Sequence, residues 1–208
     1  LAGHSGFDKT LAIMSTRVYW KGMGKDLKAW IAACIPCRQK KSHSIHKRVG
    51  KMGHVVVQEP FQTWSMDIVG PLPKTKNYGH DHIITFIDHF TNFPVAVAVA
   101  GTPTAETCAE ALHDLVISMF GCPTNLLTDR GTQFTSKLFQ HVCKRLGIKK
   151  LQTTAYNPAC NGKNEKLHLY LQTAMHAFVN QKHTDWDRYL NSALMAYRVA
   201  PLARIGFS

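Results

Sequence analysis

Three carboxylates stand out by where they fall in a basic chain. Between Asp114 and Asp185 lie the 70 residues 115–184, and only Asp129 and Glu165 among them are acidic. Asp129 directly follows the apolar Leu126-Leu127-Thr128, and Glu165 falls in the first turn of a helix expected from about Gly162. Asp67 interrupts the otherwise apolar strand Trp64-Ser65-Met66-Asp67-Ile68-Val69. A charge inside such a strand is costly unless it is paired or bound to a metal. Three converging carboxylates with no Cys or His beside them form an all-oxygen donor set, which suits Mg²⁺ or Mn²⁺ rather than zinc. Two such ions about 4 Å apart activate the attacking oxygen and stabilise the leaving one in phosphodiester displacement. Each acid also has a plain structural reading: Asp67 as an ion-pair partner, Asp129 as a turn residue before Arg130-Gly131, Glu165 as a favourable charge at a helix N-terminus. Asp88 is a rival because it also ends a strand, but the following His89-Phe90-Thr91-Asn92 reads as turn chemistry.

The cysteines form the second chemical set. Cys34 and Cys37 make a C-x2-C pair, while Cys108, Cys122, Cys143 and Cys160 are scattered singly, three of them in or beside apolar stretches. This distribution suits a reducing compartment, one metal or redox site, and several buried thiols. The chain carries a formal charge of +12. Residues 1–60 hold 11 Lys/Arg against 3 Asp/Glu, and the other 148 residues hold 14 against 10. Such an excess attracts polyanions, and neutralising phosphates releases condensed counterions. It does not separate DNA from RNA. The run Lys40-Lys41-Ser42-His43-Ser44-Ile45-His46-Lys47-Arg48 is either solvated surface or, being next to a metal motif, a nucleic-acid contact through residues such as Lys47 and Arg48. No apolar run approaches the roughly 18 residues of a membrane span, and there is no secretory signal. An intracellular protein without a membrane partner is expected. The chain starts at Leu1 and stops at Ser208 in mid-pattern, so it reads as a piece of something longer.

These residues need elements to position them. Met23, Leu27, Trp30 and Ile31 recur at helical spacing and define a helix ending just before Cys34. A polar stretch then runs to about Pro60. Strands follow at Trp64–Val69, closed by Gly70-Pro71, then at Ile83–Ile87 and Val95–Val99, with tight connections that favour antiparallel pairing. Ala105–Phe120 reads as a helix with Leu112, Leu115, Val116 and Met119 on one face. After the short strand Asn125–Leu127, a helix from about Ser136 to Leu146 carries Leu138, Phe139, Val142 and Leu146, with Gly147 as its C-cap. A strand at Lys149–Thr154, a helix from about Gly162 and a helical stretch around Trp186–Ala200 complete the order β-β-β-α-β-α-β-α-α. That order implies an α/β fold, a mixed sheet with helices on its faces, in which the strands of Asp67 and Asp129 are neighbours. Sites form at such strand ends.

At these residues the sequence resembles the integrases of gypsy-type LTR retrotransposons and, more distantly, retroviral integrases, over essentially the whole chain. Asp129 and Glu165 are separated by the 35 residues 130–164, the family's spacing between its second and third catalytic carboxylates. The surrounding words match as well: Trp64-Ser65-Met66-Asp67-Ile68-Val69-Gly70-Pro71-Leu72, Thr128-Asp129-Arg130-Gly131-Thr132-Gln133-Phe134, and Thr153-Thr154-Ala155-Tyr156-Asn157-Pro158. Upstream, Gly3-His4-Ser5-Gly6, Lys9-Thr10, Tyr19-Trp20, Gly22-Met23 and Cys34-x2-Cys37 resemble the family's His-His-Cys-Cys zinc domain.

The resemblance implies an RNase H-like fold for the core, a mixed five-stranded sheet with flanking helices, preceded by a small all-α zinc-binding domain. It implies the boundaries 1–47 for the zinc domain, 48–60 for a basic linker and 61–208 for the core. It implies a polynucleotidyl transferase that processes element DNA 3′ ends and joins them to target DNA, acting in the nucleus as a homo-oligomer. Asp67, Asp129 and Glu165 would hold Mg²⁺ or Mn²⁺. His4, Cys34 and Cys37 would be three ligands of a closed structural Zn²⁺ site, its other His expected ahead of Leu1. His43 and His46 are poorer fourth ligands, because the family places its His ligands before the helices. Asn161, Lys163 and Lys166 are the candidate donor-DNA contacts. Departures from the pattern fall at Ala159-Cys160-Asn161-Gly162, at Lys166 where Arg is commoner, and at Ala203–Ser208. They leave room for two other readings: a domesticated, catalytically silent nucleic-acid-binding protein, and a hydrolytic RNase H-like nuclease.

Overall fold

The computed structural model describes residues 6–34, 57–152 and 162–200. The chain groups into two compact units, Arg48–His168 and a second formed by Leu1–Lys47 with Leu169–Ser208.

The larger unit is built on a sheet. Strands β1 (Thr63–Val69), β2 (His80–Asp88) and β3 (Pro94–Ala100) are followed by helix α3, which runs from Ala105 through a π-turn at His113–Ile117 to Phe120. Then come β4 (Asn125–Thr128), the short α4 (Thr132–Thr135), α5 (Lys137–Arg145) and β5 (Lys149–Gln152). The strand order is β3-β2-β1-β4-β5. The first three strands pair antiparallel, as the tight connections predict, whereas β1–β4 and β4–β5 are parallel. Parallel neighbours need a crossover, and α3 and the α4–α5 segment supply the two required.

One face of this sheet makes the core. Trp64 and Met66 of β1, Ile84 and Phe86 of β2 and Leu126 of β4 pack with Cys108, Leu112 and Val116 of α3 and with Phe134, Phe139 and Cys143. Burial pushes the Cys108 thiol up to about 12 and raises that of Cys143, so both are inert apolar fillers, as the scattered cysteines suggested. Cys122 is exposed. Local chemistry sets the helix ends. The Thr104 and Ser136 hydroxyls accept from the amides of Thr107 and Phe139 at 3.3 and 3.2 Å. Gly147 takes φ +70° just past α5, the C-terminal stop expected of it. Asp88 is fully buried and purely structural: its Oδ2 accepts from the Thr91 amide and hydroxyl at 2.7 Å, and its Oδ1 from the Phe61 amide at 3.0 Å.

Three expected faces are corrected by the structure. In α3 the π-turn advances the phase, so the inward series after Leu112 and Val116 reaches Phe120, stacked on Phe61 at 4.8 Å, and Met119 is 58% exposed. In α5 the buried residues are Phe139 and Cys143, while Leu138 and Leu146 are both 44% exposed. The inward stripe of α5 is centred on Cys143, which counted as a lone thiol in the sequence reading. In α2 (Met23–Ala33) Met23 and Leu27 are buried but Trp30 is 71% exposed. The last expected strand is found over Lys149–Gln152, and Thr153 and Thr154 lie outside the described residues.

In the second unit α1 (Phe7–Ser15) and α2 are joined by side-chain contacts, including the Lys28 ammonium 4.9 Å from the Phe7 ring centroid. Helix α6 (Gly162–His176) passes from the sheet unit into this one, and α7 (Asp187–Arg198) follows it. Tyr170 of α6 meets Tyr197 of α7 edge-on at 5.0 Å, and Lys9 of α1 lies 5.5 Å from the same Tyr197 ring. Among the described residues no helix is long and apolar enough to cross a membrane.

The corrected α5 face predicts unequal costs for adjacent substitutions. Phe139→Ala, at a fully buried position, lowers stability by about 3–5 kcal/mol. Leu138→Ala, beside it, costs well under half of that. Chemical denaturation of the two variants measures the difference; equal losses would restore the face read from sequence.

Candidate active site

Strand alternation assigns Trp64 and Met66 to the apolar core and turns Thr63, Ser65 and Asp67 to the opposite face of the sheet. The β1–β4 register pairs Thr63 with Asn125, Trp64 with Leu126 and Ser65 with Leu127. Continued two positions, it sets Asp67 level with Asp129, one residue beyond β4, on the same face. Both acids therefore stand at the C-terminal edge of a parallel strand pair, where sites of α/β sheets form.

Helix α6, with Glu165 in its first turn, lies over this face. Ile83, Ile87 and Leu127 of this face and Leu167 of the helix are buried, and polar bonds join the two as well. The Ser65 hydroxyl donates to Asn164 Oδ1 at 3.2 Å, and Asn164 is fully buried. The Thr85 hydroxyl donates to the Asp67 carbonyl at 3.1 Å and lies 2.9 Å from His168 Nε2. Thr85 has one proton and gives it to Asp67, so His168 is assigned as the Nε2–H tautomer, donating to Thr85. One turn of helix past Glu165, His168 is thus linked through Thr85 to the backbone of Asp67. The Lys163 ammonium donates to the His89 carbonyl in the β2–β3 turn. Thr85, Asn164 and His168 carry no motif in the sequence, and Ser65 appears only within the word around Asp67. The only signal for them is position: alternate residues on the strand of Asp67 and its partner, and helix residues beside Glu165.

The electrostatics follow from burial. His168 has its pKa lowered to about 4 by desolvation. His89 falls to about 4 for the same reason, with the Lys163 charge adding to it, and its buried Nε2 has no hydrogen-bond partner among the described residues. Lys150 of β5 donates to the Phe134 carbonyl; burial lowers its pKa, and the Cys143 thiol and the Asp129 carboxylate act against that shift.

Two of the acids accept from backbone amides. The Asp67 Oδ1 accepts from the Ile68 amide at 2.9 Å and the Asp129 Oδ1 from the Gly131 amide at 2.9 Å, the latter being the turn role weighed for it. Glu165 is exposed. Among the described residues no three His, Cys, Asp or Glu side chains are gathered closely enough to hold a metal ion. The fit to a hard cation rests on the donor set: oxygen ligands only, two of them level on adjacent strands, the third on a helix over the same face. Of the other expected site residues, Cys34 is described as the half-buried C-cap of α2, and Lys166 is exposed. His4, Cys37, Lys47, Arg48 and Asn161 lie outside the described residues.

The two histidines give the unit a pH signature. Both are neutral in the fold with pKa values near 4, against about 6.5 when unfolded. The unfolded chain therefore binds more protons between these values, and their contribution to stability, complete above pH 6.5, is lost as the pH falls towards 4. The melting temperature is expected to drop across this window, and less steeply in His168→Asn. An equally steep profile in that variant would refute the assignment.

Comparisons with known proteins agree with this architecture. The family described as Integrase core domain matches residues 57–158, and the one described as Integrase zinc binding domain matches residues 1–43. The chain is 31% identical over 191 residues, 90% of its length, to the Retrovirus-related Pol polyprotein from transposon 412 of Drosophila melanogaster. It is 23% identical over 198 residues to the Transposon Tf2-3 polyprotein of Schizosaccharomyces pombe. The chain spans only 15% of the length of each of these relatives. Its fold is similar to a chain of the simian T-cell lymphotropic virus intasome in complex with PP2A regulatory subunit B56 gamma. That likeness has a TM-score of 0.62 at 22% identity and covers 99% of this chain and 69% of the other. The HTLV-2 integrase catalytic core domain in complex with magnesium, in its trimeric form, is similar with a TM-score of 0.56 at 22% identity. Here 72% of this chain and 93% of the other are covered. These likenesses identify the mixed sheet as RNase H-like. With zinc-domain and core-domain matches in tandem and retrotransposon polyproteins aligned along nearly all of its length, the chain belongs to the integrases of LTR retrotransposons.

Proposed function

We propose that this chain binds the DNA ends of its element and joins them to target DNA, with Asp67, Asp129 and Glu165 as the catalytic carboxylates. The observation that supports the reading is the parallel register of β1 on β4, whose continuation two residues past Ser65 and Leu127 leads to Asp67 and Asp129, with the first turns of the Glu165 helix bonded to Ser65 and Thr85. The three would hold Mg²⁺ or Mn²⁺. Bound there, such ions supply Lewis-acid stabilisation to the attacking and leaving oxygens of a phosphodiester. Asp67 and Asp129 give the rigid part of the site, Asp67 within a paired strand and Asp129 directly after one, with its carboxylate on the Gly131 amide. Glu165 gives the adjustable part: it is exposed, and only its helix is anchored, through Asn164 and His168. The chemistry proceeds in two displacements, first by water near the DNA 3′ end and then by the freed 3′-hydroxyl on the target. Neither needs a covalent enzyme intermediate, so no Ser or Cys nucleophile is assigned.

Lys166, exposed beside Glu165, and Asn161 would contact the donor DNA. Lys163, held against the His89 carbonyl, keeps a positive charge next to the same place. Lys47 and Arg48 would add contacts from the basic linker. His4, Cys34 and Cys37 would hold a structural Zn²⁺ that fixes the N-terminal helices. The protein would act on chromosomal DNA in the nucleus, as a homo-oligomer.

Glu165→Gln tests the assignment directly. Strand transfer of a labelled duplex in Mg²⁺ is expected to fall about 100-fold or more while binding of the same duplex persists. Normal joining by this variant would overturn the role of Glu165. Separately, Cys34→Ser is expected to lower the zinc content measured by elemental analysis, and unchanged zinc would remove that ligand from the set.

A further inference from the structure

The connection from β1 to β2 presents a surface that neither the motifs nor the carboxylates use. It follows directly on the strand of Asp67, at the same edge of the sheet. It is a built knuckle rather than a loose loop. Thr75 is 4% exposed; its amide donates to the His80 carbonyl at 2.9 Å, its hydroxyl accepts from the His80 amide at 3.0 Å, and its carbonyl accepts from the Gly79 amide at 3.0 Å. Gly79 adopts φ +67°, the left-handed conformation this closure requires. At the base the Leu72 amide donates to the Asp81 carbonyl at 2.7 Å.

This frame displays Lys74, Lys76 and Asn77, all exposed, together with Tyr78, which is 71% exposed. The Tyr78 ring is stacked on the His80 ring at 5.3 Å and 21° between planes, which fixes one face of the phenol and leaves most of the residue to solvent. Residues 70–80 contain no acidic side chain. The nearest in sequence, Asp81, is buried, with its Oδ1 2.8 Å from His82 Nδ1 and accepting from the Gly101 amide at 2.7 Å; these bonds lower its pKa first, and the Lys74 charge adds to them. Two ammonium groups and an outward aromatic ring on a preorganised frame match a nucleic-acid strand: phosphates for the cations, a base face for the ring.

We propose that this knuckle is a DNA-contact surface, in which Lys74 and Lys76 take backbone phosphates and Tyr78 stacks on an unpaired base near the DNA end. The proposal rests on the DNA-joining function proposed above. Lys76 lies nine residues along the chain from Asp67, a reach of at most about 32 Å. At 3.4 Å per phosphate along one strand, the contacted phosphates lie within about ten nucleotides of the reacting one.

The test is a titration of the full chain against two labelled DNAs, a blunt duplex and the same duplex with a short single-stranded overhang, over a range of salt. Lys74→Ala/Lys76→Ala is expected to weaken binding to both and to lower the slope of log affinity against log salt by about 2, about 0.9 per phosphate lost. Tyr78→Ala is expected to weaken the overhang DNA about tenfold while sparing the blunt duplex, and Tyr78→Phe to restore it. These positions are exposed, so circular dichroism should show all variants folded. If the parent binds and joins DNA while the lysine variant keeps its affinity and salt slope, the knuckle proposal alone fails. A parent that neither binds nor joins either DNA would overturn the functional reading along with it.

Discussion

The polar seam between α6 and the sheet is the constraint on which the rest of the arrangement depends. One sheet face is apolar and closes a conventional core. The other sets Thr63, Ser65, Asp67 and Thr85 among the buried Ile83, Ile87 and Leu127, and burying those polar groups costs free energy unless each finds a partner. Asn164 and His168 supply partners for Ser65 and Thr85, and the Lys163 ammonium secures the adjoining turn through the His89 carbonyl. Hydrogen bonds are directional where apolar contact is not, so this seam sets the position of α6 on the sheet, not merely its presence there. The helix that carries Glu165 is thereby tied to the backbone of Asp67 itself.

The seam also explains why His89, buried, and His168, half-buried, are neutral. A charged imidazole at either place would be desolvated, and at His89 it would also face the Lys163 ammonium. The acids show the complementary behaviour. Asp67 and Asp129 accept from neighbouring amides, and Glu165 is exposed. A site of this kind has a rigid scaffold with the last adjustment left to side-chain rotation, which suits a centre that must admit ions and two DNA substrates.

The apolar half of the sheet unit shows how far a helical period can be trusted. A single π-turn in α3 replaces Met119 by Phe120 on the inner face, and that ring then joins Phe61, Trp64 and Phe93 in an aromatic cluster. Nothing in the local composition of Leu112–Phe120 distinguishes an α-turn from a π-turn. The choice depends on which ring fills the space beside Trp64. The same holds for α5, where Cys143 rather than Leu146 completes the stripe because Cys143 faces the sheet.

Much of this protein was legible before any coordinates. Element order, the antiparallel meander, Gly147 as a helix stop, the turn role of Asp88 and the buried thiols all follow from short-range rules: alternation, capping, turn propensity and apolar spacing. The three carboxylates proposed as catalytic stand out in the sequence as well, because charge is scarce in their neighbourhood and family-specific words surround them. What no local rule contains is relative placement across the chain. The level alignment of Asp67 with Asp129, the partners of Ser65 and Thr85 on α6, and the grouping of α7 with α1 and α2 rather than with the sheet are settled by long-range pairing. Each depends on residues distant in sequence competing for the same buried hydrogen bonds and apolar area, and that competition exists only once the chain has folded.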